Sequence, residues 1–360
     1  MNSHASATTW ASTTAFADRL FAHLPRTDQR QWAHTYLTGL LNTTGKKSVR
    51  RLAATVSGSP TASHSLHQFI NASPWKWRPV RDELLSLTSQ FVAPQAWIID
   101  LAIQRKRGGH SCGVHQRSLP ATGRSVTCQV GIGAFLATQE EALPVDWRLL
   151  LPEAWTKDPQ RRLRARIPDH IGSLTLEQQA LDLVDALAAR TGAATVPVVA
   201  DLGAGPGALA LASALSRRNH DFVITVPAST RTAASGRLAD RHTCSVVVAG
   251  ARTMRNLTHP GSDHGTYRLF TAPTEDGLAP GRAWLTNMTH AGTAQLLTLV
   301  RMRSRAVQAV QRLQNDFGLG DFEGRSYPGW HHHMTLVSAA YACSRLTRIP
   351  SAPQPLPALT

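Results

Sequence analysis

The hydrophobic period of this chain changes at Ala96, where an all-helical stretch gives way to strands. Upstream, from Thr27 to about Val92, apolar residues recur at helical spacing. Trp32, Tyr36, Leu37, Leu40 and Leu41 follow a Thr27-Asp28 cap, and Val49, Leu52 and Val56 follow Ser48. Leu66, Phe69 and Ile70 follow the turn at 58–60, and a last helix follows Ser73-Pro74-Trp75. Downstream, Trp97 to Ile103 is a near-continuous apolar run suited to a buried strand. Val126, Cys128, Val130, Ile132, Ala134 and Leu136 alternate with Thr, Gln and Gly, which predicts a half-buried strand.

The rest of the chain adds a strand-helix-strand alternation. Thr175 to Ala189 reads as an amphipathic helix stopped by Gly192, Thr195 to Asp201 as a strand, Ala208 to Arg218 as a helix, and Phe222 to Val226 as a strand. A long helix is predicted over about 292–316. Strands first and alternation afterwards imply an α/β fold: a mixed sheet flanked by helices, preceded by an N-terminal helical domain. The expected organisation is a flexible arm over 1–25, a helical domain over 26–92, a core over 93–346 with an irregular insertion at about 228–285, and a disordered tail over 347–360.

Of the 360 residues, 38 are Lys or Arg and 23 are Asp or Glu, a net charge of +15. High genomic G+C content would favour Arg over Lys, but it does not explain a shortage of acids. The excess points to a polyanion partner, held by contacts that weaken with salt. Lys46, Lys47, Arg50 and Arg51 cluster where helix, Gly-containing turn and helix succeed one another. That pattern fits either a DNA-reading helix-turn-helix or a small bundle with a solvated basic face. Arg105, Lys106 and Arg107, beside Gly108-Gly109, form either a basic hairpin for a phosphate backbone or a solvated turn. No apolar run is long enough to span a membrane, and the N-terminus lacks the pattern of a secretory leader. Cys112, Cys128, Cys244 and Cys343 are scattered without a CxxC pair, as reduced thiols of a cytoplasmic protein would be.

Three segments carry a resemblance. Residues 97–136 begin WIIDLAIQRKRGGH, residues 198–227 begin VVADLGAGPGALAL, and residues 315–337 read NDFGLGDFEGRSYPGWHHHMTLV. In that order and spacing the chain resembles the DDE transposases of bacterial insertion sequences, in particular the seven-hundred-one group, from about Arg26 to Leu346. The resemblance implies an RNase H-like core, an N-terminal region that helps to bind DNA, and Mg2+ or Mn2+ held by three carboxylates. Hard divalent ions take oxygen ligands, and anionic ones offset their charge.

Position by position, the carboxylates are incomplete. The resemblance aligns Asp100 with the first of two neighbouring acids and Leu101 with the second, which is the metal ligand in the family. Successive strand residues face opposite sides, so Asp100 is expected not to replace it without a register shift or bulge. Asp201 matches the second acid and ends a strand. The third acid falls on Val307 and its accompanying lysine on Gln314, and no Asp or Glu occurs from Gly277 through Asn315. The expected protein is a transposase-type DNA-binding protein with degenerate catalysis, nucleoid-associated, without a membrane segment, and a homodimer by analogy alone. Two other readings stay open. One is an active transposase using Asp100, Asp201 and a relocated acid; the other is a cleft repurposed for small-molecule chemistry. The latter draws on Asp201-Leu-Gly-Ala-Gly-Pro-Gly207, similar to the first motif of S-adenosylmethionine-dependent methyltransferases, although the next strand lacks their ribose-binding acid. His331, His332 and His333 diverge by about 100° per residue on a helix and cannot converge on one ion.

Overall fold

A computed structural model describes residues 13–118, 123–192, 196–203, 205–227, 246–249, 252–258, 266–272 and 282–347. The expected tail beyond residue 347, the first residues of the arm, Cys244 and much of the insertion lie outside the described residues. The chain divides into two compact units.

The first unit is helical and comprises, of the described residues, 13–93, 313–323 and 332–347. Its helices are α1 (Thr13–Phe21), α2 (Thr27–Asn42), α3 (Val49–Val56), α4 (Ala62–Asn71) and α5 (Trp77–Phe91). The first corrects the expectation of a flexible arm. Phe16, Ala17, Leu20 and Phe21 recur on one face of α1 and are buried, enough apolar surface to fix a short helix that would be marginal alone. Arg19 then reaches Glu83 of α5 at 2.8 Å.

The unit also takes in chain from far downstream. The helix Tyr327–Leu346 belongs to it from His332 onward and is buried on all sides as far as Cys343. Its polar groups find partners. Arg81, 1% exposed, donates through Nε to Thr335 Oγ1 at 2.7 Å. His332 stacks on Trp75 at 3.9 Å and places its two ring nitrogens 3.0 and 2.9 Å from the carbonyls of Ile70 and Trp75. His333 turns elsewhere, to Tyr36 Oη and the Gly318 carbonyl, both at 3.0 Å. Their divergence follows from the helical period.

Among the described residues, the second unit, 94–312 with 324–331, is built on one ten-stranded sheet. Its central strands are β1 (Ala96–Arg105), β3 (Ser125–Ala137), β4 (Ala142–Leu149), β5 (Val198–Asp201) and β6 (Phe222–Val226), with the short β2 (His115–Ser118) beside β3. The spatial order β4-β3-β1-β5-β6, antiparallel up to β1 and parallel beyond it, is the RNase H-like arrangement. Short α6 (Glu153–Thr156) and α7 (Pro159–Ala165) follow β4, α8 (Leu176–Thr191) leads to β5, and α9 (Ala208–Arg217) joins β5 to β6. A capping box between Thr175 and Gln178 starts α8, and Gly192, at φ 71°, stops it.

Two expectations about the sheet change. The strand read as half-buried, β3, is buried on both faces from Cys128 to Ala137. Its glycines hide the second face. A Cβ at Gly133 would stand 2.7 Å from Trp147, and one at Gly131 would stand 3.2 Å from Trp330, so indole rings cover what look like gaps in the pattern. The insertion is also regular where it is described. β7 (Val246–Ala249), β8 (Arg252–Thr258), β9 (Thr266–Ala272) and β10 (Arg282–Thr286) form an antiparallel series that extends the sheet through the β10–β6 pair. The long helix α10 (Thr293–Asn315) follows it, and α11 is the helix Tyr327–Leu346.

A candidate acid site closed by arginine

The parallel pair β1–β5 sets Asp100 level with Asp201. Register partners on neighbouring strands face the same side of a sheet, so both carboxylates enter one site, 4% and 3% exposed. No bulge interrupts the pairing from Trp97 to Asp100. Asp100 therefore needs no register shift to join Asp201, which overturns the expectation that it would, and Leu101 points to the other side.

The two carboxylates are already bonded. Asp100 Oδ1 accepts from the Leu101 N–H at 2.7 Å, and its Oδ2 accepts from Arg303 Nε at 2.8 Å. Asp201 Oδ1 accepts from the Gly203 N–H at 3.1 Å and from Thr225 Oγ1 on β6 at 3.0 Å. Its Oδ2 accepts from a terminal nitrogen of Arg303 at 3.0 Å and from Arg282 on β10. One guanidinium from α10 thus bridges both acids, with a second beside it. Burial pushes the Asp100 carboxyl above the ordinary carboxylate range, while the Arg303 charge and the Leu101 N–H pull the other way. Burial and the like charge of Arg303 pull the Arg282 guanidinium below its ordinary value, opposed by Asp100.

The helix residue that reaches the acids is Arg303, not Val307. Leu299, Ala306 and Val310 are buried, and Arg303 shares their stripe at helical spacing. Val307 lies one turn further along and is half-buried, and Gln314, also half-buried, belongs to the helical unit. Among the described residues, no group of three or more His, Cys, Asp or Glu is placed to hold a metal ion. The donor set does not fit a two-metal centre. Two carboxylates supply the negative charge, two guanidiniums balance it, and the oxygens a metal would use already accept hydrogen bonds. Arg303 carries one sequence signal that the reading of the chain missed: a charged residue inside an apolar helical stripe requires a buried partner of opposite sign.

The basic candidates separate. Lys47 is 4% exposed and turned inward. Its ammonium donates to the carbonyls of Leu40, at 2.8 Å, and Thr43 at the end of α2, and its own N–H donates to Asp321 at 2.7 Å. It serves unpaired carbonyls of a helix terminus, which corrects its expected role at a phosphate. Lys46 is exposed and pairs with Glu323 at 2.6 Å. Arg50 and Arg51 are exposed, Arg51 donating to the Thr44 carbonyl at 3.0 Å. Arg105 and Arg107 are exposed at the end of β1 and in the turn after it, with Lys106 half-buried between them.

The glycine-rich turn after β5 is not an open cradle. A Cβ at Gly207 would lie 2.4 Å from the Glu177 carboxyl carbon. The first turn of α8 thus fills the space beside these glycines, leaving a cavity of about 10 Å³ lined by Glu177, Gly205, Ala208 and Thr225, room for about one water. Among the described residues, no helix is long and apolar enough to cross a membrane.

The family model described as DDE superfamily endonuclease matches residues 19–243, more than half of the chain. No curated protein matches. Among solved structures, the chain is similar to the piggyBac transposase in its synaptic complex with hairpin DNA. The identity is 10% and the TM-score 0.46, over 92% of this chain and 70% of that one. At that distance the likeness assigns no role to any residue.

Proposed function

Because this chain belongs to the DDE superfamily endonucleases, we propose that it is a transposase-type DNA-binding protein, of the seven-hundred-one insertion-sequence kind, that has lost strand cleavage. The observation that carries this reading is the bridge from Arg303 to Asp100 and Asp201. Cleavage by two metal ions needs open, anionic oxygens around the scissile phosphate. Here these oxygens face guanidinium, and Val307 stands at the position where the resemblance places the third acid.

DNA binding is supported by the net charge of +15 and by exposed Arg50, Arg51, Arg105 and Arg107. Association with the nucleoid and assembly as a homodimer belong to the same reading. Active cleavage by a relocated acid has no candidate among the described residues. Small-molecule chemistry at the glycine-rich turn is disfavoured by Glu177, which occupies the approach.

The test is a nicking assay on supercoiled plasmid carrying the native flanking DNA, with Mg2+ or Mn2+, beside Asp201→Ala. No metal-dependent nicking is expected of either protein. Nicking by the wild type and not by Asp201→Ala would overturn this reading.

A further inference from the structure

The Arg303 guanidinium lies between two carboxylates that neighbouring strands hold level with each other. It contacts each through a different nitrogen, at 2.8 and 3.0 Å. Its side chain is 21% exposed, against 6% and 3% for the two acids. This is the fork geometry in which arginine binds two anionic oxygens at once. A free divalent ion approaching the pair would meet the Arg303 and Arg282 guanidiniums and would have to displace a bridging group held by a helix. Like charges at such distances repel most where water is scarce.

We propose that Arg303 is the resident cation of this site. It holds Asp100 and Asp201 together in the place of a divalent ion, so the native protein binds none there. The geometry also assigns position 303, rather than 307, as the point from which α10 would supply a third carboxylate. This inference rests on the reading of the site as catalytically lost, and its test is separate from cleavage. The Arg303 side chain already spans both acids, so a Glu at 303 starts from the same backbone position and faces the same pair. Asp100, Asp201 and Glu at 303 would then form the three-carboxylate, oxygen-only set that hard divalent ions prefer.

The experiment is calorimetric titration of the full chain with Mn2+, in the absence of DNA, with thermal melts in parallel. Four proteins are compared: wild type, Arg303→Glu, Arg303→Gln and Asp201→Asn. The wild type is expected to show no saturable Mn2+ binding at this site and no Mn2+-dependent rise in melting temperature. Arg303→Glu is expected to bind Mn2+ at least about tenfold more tightly than the wild type and to melt higher in its presence, because binding to the folded state stabilises it. Arg303→Gln, which removes the cation without adding a charge, covers the case in which three carboxylates prevent folding without metal. It is expected to gain a smaller Mn2+-dependent rise. Wild-type Mn2+ binding that disappears in Asp201→Asn would overturn the proposal. So would the failure of both Arg303 variants to exceed the wild type. Either result in a protein that does not nick DNA leaves the functional reading standing, whereas nicking sinks that reading itself.

Discussion

Asp100 stands level with Asp201 across a parallel strand pair, and the two carboxylates share one guanidinium, that of Arg303. Such a bridge holds two buried like charges together, and its loss leaves them repelling each other in a poorly solvated place. Arg303→Met is therefore expected to lower unfolding stability by roughly 3 kcal/mol, the low end for breaking a buried pair because Arg282 still faces Asp201. Urea denaturation measures it. Asp100→Asn combined with Arg303→Met should cost less than the two single changes together, since the repulsion is relieved. Additive losses would mean that the three groups do not act as a unit.

Lys47 and its neighbours Arg50 and Arg51 should fail in different ways. Lys47→Ala removes a buried donor to two helix-end carbonyls and is expected to cost about 1–3 kcal/mol in stability. The salt slope of DNA binding should stay where it was. Replacing Arg50 and Arg51 together with Ala should leave melting nearly unchanged and flatten that slope by up to about 0.9 for each phosphate no longer neutralised. A Lys47 variant that folds as well as the wild type but binds DNA with a flatter slope would reverse this assignment.

Gly133 sits under two aromatic rings, Trp147 at 2.7 Å and Phe135 at 2.8 Å from where a Cβ would lie. Gly133→Ala should overpack a strand that is closed on both faces and cost roughly 1–3 kcal/mol. Gly109→Ala, with open space around it, is the control and should change little. Equal melting temperatures for the two variants would show that the indole cover over β3 is loose.

The Cys112 thiol is 1% exposed, and burial pushes it from an ordinary 9.0 up to about 12. Thiolate is the reactive form, so at pH 8 this group should resist alkylation until the protein unfolds. A group whose value is raised on folding favours the native state at low pH. Its contribution is complete below about 9 and declines as pH rises toward 12. Cys112→Ser should flatten the alkaline fall in stability. Fast native-state labelling of Cys112, located by peptide mapping, would contradict its burial.

The helices between Thr27 and Phe91, those at 176–191, 208–217 and 293–315, and the strands at 198–201 and 222–226 are legible in the sequence because periodicity reports them directly. The short α6 and α7 and the buried α11 carry no such signal. α1 is not legible either, because its apolar residues follow a polar leader of small residues and matter only through their burial in the helical unit. The two-sided burial of β3 is hidden because its glycines leave blanks that Trp147 and Trp330 fill from elsewhere in the chain. The acid pair is half legible. Asp201 is placed by its strand end, but counting along one strand discounts Asp100. Which way it faces depends on its pairing with β5, a long-range fact. Arg303 stands out locally only as a charge within the Leu299, Ala306 and Val310 stripe of α10, and which acids it meets depends on a register against the sheet that no local pattern reveals.

On the proposed reading, this protein holds DNA by its own cations and needs none from solution. The most direct measurement is the affinity for the native flanking DNA, by fluorescence anisotropy across a salt series, in excess EDTA and again in Mg2+. The predicted result is tight binding at low salt, a steep linear fall of log K with log salt, and superimposable curves with and without the metal. Binding that vanishes in EDTA, or affinity indifferent to salt, would contradict it.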